Sequence, residues 1–191
     1  MKKAKNRTTL TVAIMSLLAI VLLGFYFYWN YRTKPITETS LEKKTEAQKL
    51  IAKDLDLYYP ETPREVVKLF GDMMNALYDN ILDEDMEPLA LKVRELYDED
   101  FLAVNPEGTY LANLKTDLAA WKKKDRRITT NFIVKKDEEQ QSVMDGVNYS
   151  INYISFTIQE GRKFTETWKV MLRQNSNKQW KILGWQVEAQ E

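Results

Sequence analysis

The sequence predicts an α+β protein: an N-terminal transmembrane helix, then about three helices packed on a curved antiparallel sheet. Three observations predict it. Residues 10–29 carry no charge; apolar residues recur at helical spacing from Thr62 to Trp121; and after Arg127 the periodicity becomes strand-like, punctuated by turn dipeptides. With 44% hydrophobic and 29% charged residues the chain has the composition of a packed globular protein rather than a disordered one.

A charge-free run of about twenty residues crosses ~30 Å of hydrocarbon as a helix. At its far end Phe25, Tyr26, Phe27, Tyr28, Trp29 and Tyr31 form an aromatic girdle suited to the lipid–water interface. A cleaved secretory signal would share the basic start, but it needs small residues at its cleavage site, where this chain has bulky aromatics. The span is placed at residues 8–31, uncleaved, behind a head of residues 1–7. Lys2, Lys3, Lys5 and Arg7 precede it, whereas Arg32 and Lys34 are the only bases immediately beyond. The positive-inside rule then puts the N-terminus in the cytoplasm and the C-terminal domain outside, anchored to the cell membrane by a single pass.

Residues 32–57 read as a linker containing Pro35, followed by a charged helix whose apolar stripe is thin (Leu50, Ile51 and Leu55), either a stalk or a helix packed loosely on the domain. The main domain is expected over residues 58–191. Thr62 caps its first helix, Pro63 sits where a missing N–H costs nothing, and Glu65 completes a capping box. Val66, Val67, Phe70, Met73, Met74, Leu77, Tyr78 and Ile81 then form a core-facing stripe. A second helix over 85–97 offers Leu89, Val93, Leu96 and Tyr97. A third opens at Asn105-Pro106, carries Leu111, Leu114, Leu118 and Trp121 on one face, and ends in the basic run 122–127.

Strands follow at 128–135, around Ser142 to Met144, and at 147–159, with Asp145-Gly146 as the hairpin turn. In the long strand the apolar parity runs Val147, Tyr149, Ile151, Tyr153, then switches to Ile154, Phe156, Ile158. Such a switch implies two buried faces or a β-bulge near Tyr153. Strands over 164–173 and 180–187 complete the sheet. In the last one Trp180 and Ile182 share one parity, and Leu183, Trp185 and Val187 share the other.

This order of elements, with Glu166-Thr167-Trp168-Lys169-Val170 and the closing run Gln179 to Trp185, resembles the nuclear-transport-factor-two-like superfamily over roughly residues 62–188. The resemblance implies a cone-like domain, its helices closing a curved sheet around a pocket. The segment Tyr59-Pro60-Glu61-Thr62-Pro63-Arg64-Glu65-Val66-Val67-Lys68, with Leu96-Tyr97-Asp98 and Asn105-Pro106, is also similar to a family of bacterial membrane-anchored proteins of unassigned function. Neither resemblance implies one activity, because the cone fold hosts isomerases, dehydratases, adaptors and secretion-machine parts.

Composition narrows the chemistry. Cys and His are both absent, which removes disulfides, thiolate nucleophiles, Cys/His metal sites and His acid–base schemes. After residue 7 the chain has 24 basic against 28 acidic residues, a net of −4 that disfavours nucleic acid. The acid runs 83–87 and 137–139 lack the alternating ligands and glycine of a calcium loop, and read as a helix start and a solvated turn. No phosphate loop or nucleophile elbow occurs, so neither a cofactor nor a metal is expected. Glu166 shares strand parity with Phe164, Trp168 and Val170, so it is the carboxylate that would face a pocket. Tyr149, Tyr153 and Trp168 are the candidate ligand contacts around it. In the alternative reading Glu166 sits at a sheet edge or pairs with Arg162 or Lys163, and the tyrosines are core or rim.

The function expected from this is partner or small-ligand binding at the cell envelope, by a non-enzymatic protein with an envelope partner or a second copy of itself. Its specific form is an accessory subunit of a secretion or conjugation complex. The alternative is a carboxylate-dependent isomerase or dehydratase using Glu166.

Overall fold

The computed structural model describes residues 44–135 and 141–188. The expected head, the membrane span 8–31, most of the linker and the acidic turn 137–139 lie outside the described residues. Among the described residues no helix is long and apolar enough to cross a membrane. Lys44–Glu191 forms one compact unit, an α+β domain with helices packed on an antiparallel sheet.

Its first helix, α1 (Glu46–Ile51), begins at a reciprocal capping box between Thr45 and Gln48. Ala47, Leu50 and the following Leu55 are buried in the common core. Of the two expectations for this segment, the helix packed on the domain is the one these contacts match. Next comes α2 (Pro63–Tyr78), capped as its sequence predicts, with the Glu65 amide donating to Thr62 Oγ1 at 3.2 Å and the Thr62 amide to Glu65 Oε2 at 3.1 Å. Val66, Val67, Phe70, Met73 and Leu77 are buried to 1% exposure or less. Burying a side chain of this kind contributes about 1.5–3 kcal/mol. Gly71 lies so close to the sheet that a Cβ there would meet Ile154 Cδ1 at 2.1 Å. A side chain at this position would require the fully buried Ile154 to shift.

Helix α3 (Asp83–Arg94) has Asp83, Glu84 and Asp85 in its first turn, where the dipole favours acids. A short α4 (Glu99–Val104), capped by Asp98, was not expected. Helix α5 (Glu107–Lys123) starts at Pro106, which provides no side-chain cap. Asn105, expected as that cap, instead ends α4 and donates from Nδ2 to Phe101 O at 2.9 Å.

The sheet runs β1 (Arg127–Val134), β3 (Val147–Glu160), β4 (Arg162–Gln174), β5 (Trp180–Val187), and β2 (Gln141–Met144) pairs with the start of β3, all antiparallel. The β3–β4 register is unbroken from Tyr149 to Glu160, so there is no bulge at Tyr153 in that ladder. Both faces of β3 are buried there instead, and Tyr153 and Ile154 are each at 0% exposure. The register shifts lie in β1, between Ile128 and Thr130, and in β5, opposite Met171 and Leu172. The β5 shift accommodates Leu183 and places both Ile182 and Trp185 toward the helices. Beyond β5, the Ile182 amide donates to Leu96 O at 2.8 Å and the Asp98 amide to Ile182 O at 2.9 Å, a parallel bridge that covers part of this edge.

Candidate functional site

Alternation along β4 turns Phe164, Glu166, Trp168, Val170 and Leu172 toward the helices, because they pair with Ile158, Phe156, Ile154, Asn152 and Ser150 of β3. Glu166 therefore faces inward, as its parity predicts. It does not stand free. Arg126 Nη2 donates to its Oε1 at 3.0 Å, and Arg126 Nε lies 3.6 Å from Glu160 Oε2. The same guanidinium sits 4.1 Å from the ring centre of Trp121 and 5.7 Å from that of Phe164. The pairing with Arg162 or Lys163 weighed above is replaced by one with Arg126. In the basic run 122–127, Lys122 and Lys123 close α5 while Arg126 turns into the structure.

Trp168 is also inward. Its ring lies 4.7 Å from Phe156 and stacks on Trp185 at 5.9 Å with planes 2° apart. Tyr149 and Tyr153 are not its companions. They face the other side of the sheet, opposite Arg173 and Lys169, and the Lys169 ammonium lies 6.0 Å from the Tyr153 ring centre. A strand's side chains alternate, and Tyr153 has the opposite parity to Phe156, the partner of Glu166. The four sequence candidates thus divide into two pairs on two faces.

The concave features of the helical side flank α5. Of its residues only Leu114 is buried. The helix is held by the Tyr78 hydroxyl donating to Asp117 Oδ2 at 2.6 Å, by the Tyr78–Trp121 ring pair at 4.5 Å, and by Lys115 and Glu87 at 3.7 Å. On one side a cleft of about 560 Å³ opens toward α3, floored by Leu77, Ile81, Met86 and Leu118. On the other a cleft of about 320 Å³ lies between α2, α4, α5 and β5.

The second cleft has the denser chemistry. Phe101, Tyr97 and Trp185 make one wall, with ring centres 4.9 Å (Tyr97–Phe101), 5.4 Å (Phe101–Trp185) and 5.8 Å (Tyr97–Trp185) apart. Tyr110, Asn113 and Asp117 of α5 face it, spaced three and four residues apart and so on one side of the helix. Arg94 lies over the Tyr110 ring at 5.1 Å and donates to Asn105 O at 2.8 Å. Burial is the main cause that raises the pKa values of Tyr78, Tyr97 and Tyr110 above that of a free phenol. Tyr78 is raised further by donating to Asp117, and Tyr97 by its interaction with Tyr110. These hydroxyls remain protonated at neutral pH, so they serve as hydrogen-bonding groups and not as bases.

Sequence reasoning treated Tyr78 and Tyr97 as apolar-stripe residues and passed over Tyr110, Asn113 and Asp117. The available signal was their shared helical face. Trp185 reaches the cleft only through the β5 shift.

The fold and this site define a small α+β domain with one aromatic, hydroxyl-lined cleft beneath a lightly packed helix. The chain belongs to the family described as a domain of unknown function (DUF6715), which it matches over residues 1–185. No curated protein matches the chain.

Proposed function

We propose that this chain is a non-enzymatic binding protein of the cell envelope, anchored through residues 8–31, whose extracytoplasmic domain takes a small ligand or partner segment in the cleft beneath α5. The observation that carries this reading is the cleft itself: an aromatic wall opposite three polar side chains on one helix face, about 320 Å³ in volume. Ligand sites are typically concave, mostly apolar and furnished with a few placed polar groups. The cone-like arrangement implied by the nuclear-transport-factor-two-like resemblance is compatible with helices packed on a sheet. That resemblance, together with the anchor, supports an accessory role in a secretion or conjugation complex.

The alternative, a carboxylate-dependent isomerase or dehydratase, draws on the inward position of Glu166. A general base needs an available lone pair near its substrate, whereas the Glu166 carboxylate is engaged by Arg126. That pairing favours the binding reading.

The test is photocrosslinking in intact cells from Asn113, with Phe132 on the opposite sheet face as the control position. The expected result is a defined adduct from Asn113, seen as a discrete partner band or an added mass on the intact chain, and none from Phe132. No adduct from Asn113, or the same products from both positions, would sink the proposal.

A further inference from the structure

Resting on the reading that this cleft binds a ligand, we propose that its occupant is an uncharged saccharide ring. Shape and charge both point to it. A pyranose has a C–H face and a rim of hydroxyls. The half-buried rings of Phe101 and Trp185, steeply tilted to one another at 78°, offer ring surface for the first, since aromatic rings present a negative face to weakly positive hydrogens. The α5 side offers the second requirement. The Asn113 amide both donates and accepts, the Asp117 carboxylate accepts, and Tyr110 brings a hydroxyl. Carboxylate and amide groups are planar and two-pronged, which suits neighbouring hydroxyls on one ring.

Charge weighs against the other small ligands that aromatic clefts take. An anion would lie against the Asp117 carboxylate. A quaternary ammonium needs aromatic faces clear of other cations. Here the Arg94 guanidinium already covers the Tyr110 ring at 5.1 Å. With the Asp117 carboxylate on its lining and the Arg94 guanidinium over the Tyr110 ring, the cleft has one charge of each sign beside it and favours a neutral, hydrogen-bonding ligand over either ion. About 320 Å³ lies at the small end of the roughly 300–1,000 Å³ typical of ligand pockets, which suits one or two rings and not a folded partner.

The full chain, reconstituted in phosphatidylglycerol nanodiscs free of sugar detergents, would be examined by saturation-transfer NMR. The probes are the neutral trisaccharides of N-acetylglucosamine and of glucose, then glucuronate, glucosamine, choline and an amphipathic apolar peptide. Saturation transfer to a neutral trisaccharide is expected, with none to glucuronate or choline. Tryptophan quenching by that sugar should disappear in Trp185→Phe. Its affinity should fall about tenfold or more in Asp117→Asn, which loses the charged acceptor. Asp117 also holds Tyr78, so Asn113→Ala provides a variant outside that contact and should weaken the sugar by several-fold. Preferred binding of choline, glucuronate or the peptide overturns the ligand class while leaving a binding cleft. Silence toward every probe also overturns the ligand class. If silence is joined by absent crosslinks from Asn113, the broader binding reading falls with it.

Discussion

Arg126 offers the sharpest test of what Glu166 is for. Arg126→Ala removes the 3.0 Å charge-assisted hydrogen bond to Glu166 and the stacking over Trp121 at 4.1 Å. The first is worth about 1.5–3 kcal/mol and the second about 0.5–1 kcal/mol. The substitution also leaves Glu160 and Glu166 without the cation between them, both about a third exposed or less. Together these give an expected loss of about 2–4 kcal/mol. For a chain of this size that is a fall in Tm of roughly 4–16 °C. Glu166→Gln keeps the volume and one acceptor oxygen, and Arg126 retains Glu160 and both rings. Its expected cost is about 0.5–1.5 kcal/mol. Urea unfolding followed by circular dichroism measures both. The order Arg126→Ala well above Glu166→Gln is the prediction. A neutral Arg126→Ala, or a Glu166→Gln that raises stability as removal of a strained catalytic group commonly does, would refute the structural assignment of this carboxylate.

Two further perturbations probe the frame around the cleft. Asp98 is buried to 2% exposure, accepts from the Asp100 amide, and is paired with Arg173. Arg173→Met strands that buried carboxylate and should cost about 3–5 kcal/mol, whereas Asp98→Asn keeps the cap and leaves Arg173 with Asp100, for about 1–2 kcal/mol. Equal or reversed costs in urea titration would contradict the geometry. At alkaline pH the signs follow from Tyr59, Tyr78, Tyr97 and Tyr110, which burial raises above the ordinary phenol value. Above pH ~10 the unfolded chain binds fewer protons than the folded one, so their stabilisation is complete below pH ~10 and is lost as pH climbs toward the folded values. Absorbance near 295 nm should show these tyrosines ionising together with loss of the circular dichroism signal. Ionisation of all ten tyrosines near pH 10 with the fold intact would count against burial of the four.

Helix starts were legible where the chemistry is local. Thr62, Pro63 and Glu65 form their capping box within one turn, so four residues suffice to see it. The start of α5 misled because Asn105 has two possible neighbours to serve. Pro106 offers no N–H, and the Asn105 amide turns back to Phe101 O to close a helix whose six residues carry little periodicity. Strand irregularity failed differently. The parity switches in β3 and β5 look alike in sequence, yet one reflects burial on both faces and the other a register shift. What separates them is the spacing on the partner strand, which is non-local.

The site was half legible for the same reason. Alternation tells that Glu166 and Trp168 point inward, since parity is a property of one strand. That Arg126 would arrive at Glu166 depends on where the end of α5 meets the start of β1, forty positions away in sequence. The cleft is harder still, because Tyr78, Tyr97, Tyr110 and Trp185 come from four separate segments and each has an ordinary role as apolar filler. Their hydroxyls and ring faces acquire a joint meaning only because α5 is weakly buried and stands along the body on polar and aromatic contacts. A helix that fully buries one residue in seventeen contributes little core energy, so its place depends on pairwise contacts such as Asp117 with Tyr78 and Tyr110 with Tyr97 and Arg94, none of which hydrophobic periodicity encodes.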